Sequence, residues 1–205
     1  MKLRHEHNVN MHNLKGPWGV VGSGWVGFST DGKTALWSDS FSGCIGLVMC
    51  NSGKRWGALA HLNQMIQNST KDLELALATV SDFVSSKMLA PVTDVMIYYG
   101  DPGENLGETQ GYNLTEERIK EVMQCERVID LRRTSNDTPY GSDFVYHPGD
   151  QIVYTSSATG CLLAKTELPE DDPLDKPLPL QAFPYQEGTK AKLQGLGHKG
   201  WFSLP

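Results

Sequence analysis

The stretch that decides the fold runs from residue 44 to residue 62: Cys44-Ile45-Gly46-Leu47-Val48-Met49-Cys50-Asn51-Ser52-Gly53-Lys54-Arg55-Trp56-Gly57-Ala58-Leu59-Ala60-His61-Leu62. Two apolar runs, Ile45 to Met49 and Trp56 to Leu62, flank the turn-forming Asn51-Ser52-Gly53-Lys54. That pattern reads as a β-hairpin. With Ser52-Gly53 as a two-residue turn, Asn51 faces Lys54, and the same register places Cys44 opposite His61. Directly opposed residues on antiparallel strands share a face, with Cβ atoms about 4.5 to 5.5 Å apart. A thiol and an imidazole in contact are therefore expected.

Working outward, Lys33 to Ser38 alternates like a strand and leads into the hairpin. After it, Leu73, Leu77, Val80 and Val84 recur at helical spacing behind a Ser69-x-x-Asp72 capping signal, predicting an amphipathic helix of about four turns. Val95 to Tyr99 reads as a buried strand, followed by a Gly/Pro/Asn-rich loop from Gly100 to Tyr112. A second helix starts near Thr115 with Ile119, Val122 and Met123 facing inward. Val128 to Leu131, Phe144 to Tyr146 and Ile152 to Tyr154 supply further strands, the last two joined by His147-Pro148-Gly149-Asp150. The expected class is α+β: a largely antiparallel sheet or sandwich with two main helices.

Three segments are expected, a polar N-terminal arm (1–18), one domain (19–156) and a C-terminal extension (157–205), with the limits of the domain taken from the extent of the resemblance given below. Beyond Thr166, five prolines from Pro169 to Pro184 mix with Glu170, Asp171, Asp172 and Asp175. Proline at that density blocks helix interiors and central strands. The extension is read as packed on the domain or contacting a partner, and Phe183, Tyr185, Trp201 and Phe202 favour draping, since a free tail gains little from them.

Of the 205 residues, 39% are hydrophobic, enough for one core. With 18 basic and 24 acidic side chains the net charge is -6, which opposes binding to nucleic acid or to an anionic membrane. The polar start carries no apolar signal-peptide region, so the expected location is the cytoplasm, or outside the cell by a route that reads no N-terminal peptide. Cys44, Cys50, Cys125 and Cys161 show no Cys-x-x-Cys spacing and suit a reducing compartment.

Several motifs look chemical and are read as bland. Gly22, Gly24 and Gly27 spell a dinucleotide-binding G-x-G-x-x-G, but Phe28-Ser29-Thr30-Asp31-Gly32 reads as strand and turn where that motif needs a helix. His5, His7 and His12 fall in a polar segment without carboxylate support, so a solvated arm is favoured over a metal site. His147 in a turn and His198 in a Gly-rich tail are read as solvated surface, and the other three cysteines as buried or incidental thiols. Cys44 and His61 remain as candidate nucleophile and base: the imidazole takes the thiol proton, the thiolate attacks, and the imidazole returns the proton to the leaving group. Ser42-Gly43 leaves little bulk before the thiol, as an oxyanion hole of backbone N–H groups requires. Ser38 is the candidate to orient His61, with Asp39 as its rival.

The segments Ser38-Asp39-Ser40-Phe41-Ser42-Gly43-Cys44 and Gly57-Ala58-Leu59-Ala60-His61 resemble the active-site hairpin of the CheD-like deamidase superfamily. That group includes the chemotaxis-receptor glutamine deamidases, the catalytic domain of cytotoxic necrotizing factor and the N-terminal asparagine amidohydrolases. Its pattern has a hydroxyl residue six before the cysteine, a small pair just before it, and a histidine after the next strand. Ser38, Ser42-Gly43, Cys44 and His61 fill those places. The resemblance extends more weakly through Leu114-Thr115-Glu116-Glu117-Arg118-Ile119 to Val153-Tyr154, covering residues 19 to 156.

Two departures matter. The chemotaxis enzymes usually carry Gly-Ser before the cysteine and a Phe-x-Leu-Pro-like continuation after the histidine, where this chain has Ser42-Gly43 and Leu62-Asn63-Gln64. The Ser-Gly-Cys order is similar to that of bacterial toxin deamidases and points toward an effector acting on a host or rival protein. The resemblance implies a CheD-like fold and conversion of a protein glutamine or asparagine side chain to the acid through a Cys44 thioester, with no metal or organic cofactor. The implied partner is the protein that carries the target amide. Alternatives are a related cysteine amidase, peptidase or transglutaminase, or a non-catalytic protein-binding module of the same fold.

Overall fold

A computed structural model of the chain describes residues 2–7, 18–21, 25–38, 44–62, 70–99, 114–131, 143–156, 194–195 and 202–203. Its strands are β1 (Arg4–His7), β2 (Trp18–Val20), β3 (Trp25–Ser29), β4 (Ala35–Ser38), β5 (Ile45–Cys50), β6 (Gly57–Leu62), β7 (Asp94–Tyr99), β8 (Arg127–Asp130), β9 (Asp143–His147), β10 (Ile152–Ser156), β11 (Gln194–Gly195) and β12 (Phe202–Ser203). Two helices, α1 (Thr70–Met88) and α2 (Glu116–Met123), complete the described elements.

The strands form two sheets, one in the order β1-β10-β9-β4-β2 and one in the order β11-β12-β3-β6-β5-β7-β8. Most neighbours are antiparallel, while β1 with β10, β2 with β4 and β7 with β8 are parallel. The class is α+β, as the order of apolar periods predicts.

The larger sheet is the middle layer. Along β5, Ile45, Leu47 and Met49 join α1 and α2 in one core, and Val48 and Cys50 join the smaller sheet's Leu36, Phe144 and Tyr146 in the other. All six residues of β5 and all six of β6 are buried. A sheet covered on both faces explains why these strands read as continuous apolar runs without polar alternation. Leu73, Leu77, Val80 and Val84 of α1 are all fully buried, as their spacing predicts. The helix is 19 residues long, longer than the expected four turns. Thr115 caps α2 by accepting the Arg118 amide, and the Arg118 guanidinium forks onto the Glu74 carboxylate of α1 with both contacts at 2.8 Å.

Two expectations are corrected here. The hairpin register differs from the one expected: Cys50 pairs with Gly57, Gly46 with His61 and Ile45 with Leu62. The connection is residues 51 to 56, wider than a two-residue turn. Tertiary bonds hold it open. The Gln151 side-chain amide donates to the Asn51 carbonyl at 3.0 Å and the Lys54 carbonyl at 2.9 Å, and the Ser52 amide donates to Thr93 Oγ1 at 2.7 Å. Trp56, counted as strand in the sequence, packs into the helix-side core before the ladder resumes.

The N-terminal arm is likewise more than a solvated segment. Leu3 is buried in the inter-sheet core, and Arg4 to His7 pair with Ile152 to Thr155 as an edge strand. His5 Nε2 lies 2.8 Å from Thr155 Oγ1. From the extension, β11 and β12 add to the larger sheet beside β3, with Phe202 opposite Val26. The rest of residues 157–205, including the Pro-rich stretch expected to drape or to contact a partner, lies outside the described residues. No described helix is long and apolar enough to cross a membrane.

Candidate active site

His61 lies near the end of β6, on the face that looks across to the smaller sheet, and is 2% exposed. Across the gap, Ser38 ends β4 and is equally buried. Ser38 Oγ is 2.8 Å from His61 Nδ1 and 2.5 Å from the Val21 carbonyl oxygen. A carbonyl can only accept, so the single hydroxyl proton of Ser38 goes to Val21. Ser38 Oγ must then accept from His61 Nδ1–H. That assignment fixes the tautomer: Nδ1 carries the proton, and Nε2 presents its lone pair.

Burial also sets the charge. It lowers the His61 pKa from 6.5 to about 4, because the charged ring loses its water. The imidazole is therefore neutral at pH 7, in the form a general base needs. A base this weak would not strip a thiol in advance; a proton would have to move as the sulfur attacks.

Cys44 immediately precedes β5, is 9% exposed, and belongs to the same inter-sheet core as Val48 and Cys50. It thus shares His61's face of the larger sheet. Because Gly46 is the residue opposite His61, Cys44 sits diagonal to it, one side-chain repeat along the strand. The expectation that Cys44 directly faces His61 is corrected to this diagonal. A two-residue shift keeps every side chain on its original face, whereas a one-residue shift would have put thiol and imidazole on opposite faces.

The row through His61 is continuous across four strands. Trp25 of β3 is opposite His61, Gly46 of β5 is on its other side, and Tyr98 of β7 is opposite Gly46. Trp25 and Tyr98 are 1% and 2% exposed, so the row that holds His61 has buried aromatics on both sides and a glycine between His61 and Tyr98. The sequence reads Tyr98 only as a strand residue and singles out Trp25 in no way; their place in the row depends on pairings between distant strands.

Of the other candidates, Asp39, Ser42 and Gly43 lie outside the described residues, as do Gly22, Gly24, His12, Cys161 and His198. Gly27 is within β3, so a strand stands where a dinucleotide motif needs a helix. His147 is not the solvated turn residue expected: it ends β9, its ring packs edge-on to Tyr154, and burial lowers its pKa. Cys50 and Cys125 are buried, and burial pushes their thiols up to about 12 and about 11. Both stay protonated and inert at neutral pH. Among the described residues no group of three or more His, Cys, Asp or Glu is gathered to hold a metal. Neither a scan against protein-family models nor a search of the curated proteins returns a match.

Proposed function

We propose that the protein is a thiol-dependent deamidase that converts a glutamine or asparagine side chain of another protein to the acid. The observation that carries this reading is the relay from His61 Nδ1–H through Ser38 Oγ to the Val21 carbonyl, which leaves a neutral imidazole with its Nε2 lone pair on the face that Cys44 shares. The resemblance of residues 38–44 and 57–61 to the CheD-like hairpin supports it, and we read the two-sheet, two-helix architecture as CheD-like.

In this reading the amide carbon meets Cys44 Sγ while His61 Nε2 takes the thiol proton. The S–C bond forms and the carbonyl becomes an oxyanion, held by backbone N–H groups near Gly43. Collapse breaks the C–N bond, the nitrogen takes the proton from Nε2, and ammonia leaves. Water then attacks the thioester, giving its proton to Nε2, and the acid departs as the thiol is restored. The Ser-Gly-Cys order, similar to that of bacterial toxin deamidases, supports an effector that modifies a host or rival protein and acts in the cytoplasm or after secretion without an N-terminal signal.

Ammonia release from a protein extract, with and without an added primary amine, tests the reaction class. The expected result is release by wild type and none by Cys44→Ser, with no amine incorporated. Amine incorporation in place of acid identifies a transglutaminase, and new peptide termini identify a peptidase. Equal release by Cys44→Ser contradicts the reading.

A further inference from the structure

Position 46 lies between the two members of the thiol–imidazole pair in the strand register. It is directly across from His61 and one side-chain repeat along from Cys44 on the same face. Diagonal neighbours on a sheet are about 7 to 8 Å apart, farther than opposed ones. The cysteine side chain reaches one atom beyond its Cβ, so for the two to meet the longer imidazole would have to lean over position 46. In the same row Trp25 is opposite His61 on β3 and Tyr98 is opposite Gly46 on β7, and Ser38 meets Nδ1 from the facing sheet. Glycine weakens the interior of a strand, and β5 is buried along its whole length, where a branched side chain would pack. A glycine there calls for a reason.

We propose that Gly46 is a positioning residue whose missing side chain leaves the passage across which His61 Nε2 meets the Cys44 thiol. The proposal rests on reading those two residues as base and nucleophile. A methyl group at position 46 would stand about 4.5 to 5.5 Å from the His61 Cβ, within the space the ring crosses. It would separate the pair without touching the Ser38 hydrogen bond.

The test is the rate at which iodoacetamide alkylates Cys44, followed by peptide mapping as a function of pH in wild type, His61→Ala and Gly46→Ala. Nitrogen NMR of the imidazole is recorded alongside. The expected result is a Gly46→Ala protein that folds and keeps the Nδ1–H signal, yet loses roughly tenfold or more in Cys44 alkylation, the scale of a lost base. Its pH profile matches that of His61→Ala. Wild-type rate and profile in Gly46→Ala overturn the proposal while leaving the deamidase reading intact. An unchanged Cys44 rate in His61→Ala overturns both. If Gly46→Ala does not fold, Gly46→Ser takes its place, and failure of both to fold overturns the proposal because the glycine is then structural.

Discussion

At 2% exposure the His61 ring loses most of the water that would stabilise its charged form, and its pKa falls from 6.5 to about 4. Two measurable consequences follow from that direction. Unfolded, the ring takes up a proton as the pH drops below 6.5; folded, it resists until about 4. Its stabilising contribution is complete above pH 6.5 and is lost between 6.5 and 4, by on the order of 3 kcal/mol from this one group. Urea titrations should show that loss in wild type and a shallower one in His61→Gln. The acid limb of kcat/KM should likewise fall near pH 4, and a limb near 6.5 would mean a solvated ring. Ser38 is the other residue-scale test. Ser38→Ala strands a buried Nδ1–H and should cost about 1 to 3 kcal/mol. Because the ring is freed to take the other tautomer, kcat should drop roughly tenfold to a hundredfold with KM nearly unchanged, and Ser38→Thr should restore much of it. A proportional rise in KM would instead place Ser38 in substrate binding.

The hairpin shows what a local pattern can and cannot specify. Strand type, shared face and the nearness of residues 44 and 61 were legible, because side-chain direction alternates with period two and survives a two-residue slip. The register was not. Gln151, 100 residues from Asn51 in sequence, sets the width of the turn, and no rule for two-residue turns contains that bond. The same limit hid β1, whose polar Arg4-His5-Glu6-His7 becomes a strand only through pairing with β10. Helices α1 and α2 were legible because their apolar spacing and the Thr115 cap are local. Ser38 was found as a partner for His61 from the resemblance and from its place at a strand end, while the Val21 carbonyl that fixes the tautomer had no signal. A further test belongs to β6. The Tyr146 ring lies against Gly57, and a Cβ built there collides with it. Gly57→Ala should therefore lose about 1 to 3 kcal/mol by overpacking. Displacement of Tyr146 pushes on Leu36, its partner in β4, two residues from Ser38. Denaturant midpoints read the first effect and weakened activity the second; a neutral substitution would show that the two sheets yield there.

Across the whole molecule, the proposed chemistry depends on two sheets meeting. The smaller sheet supplies Ser38 and the larger supplies His61, so neither holds the relay without the other. The three-layer arrangement buries His61, and it brings Ser38 at the end of β4 onto the His61 ring, with Cys44 just before β5 on the same face. A net charge of -6 disfavours polyanions and is compatible with a protein substrate. The most direct measurement is mass spectrometry of proteins from a broad lysate after incubation with wild type and with Cys44→Ser. The account predicts Gln-to-Glu or Asn-to-Asp conversion at a defined site with wild type and none with Cys44→Ser. No conversion with wild type, or equal conversion with Cys44→Ser, would contradict it.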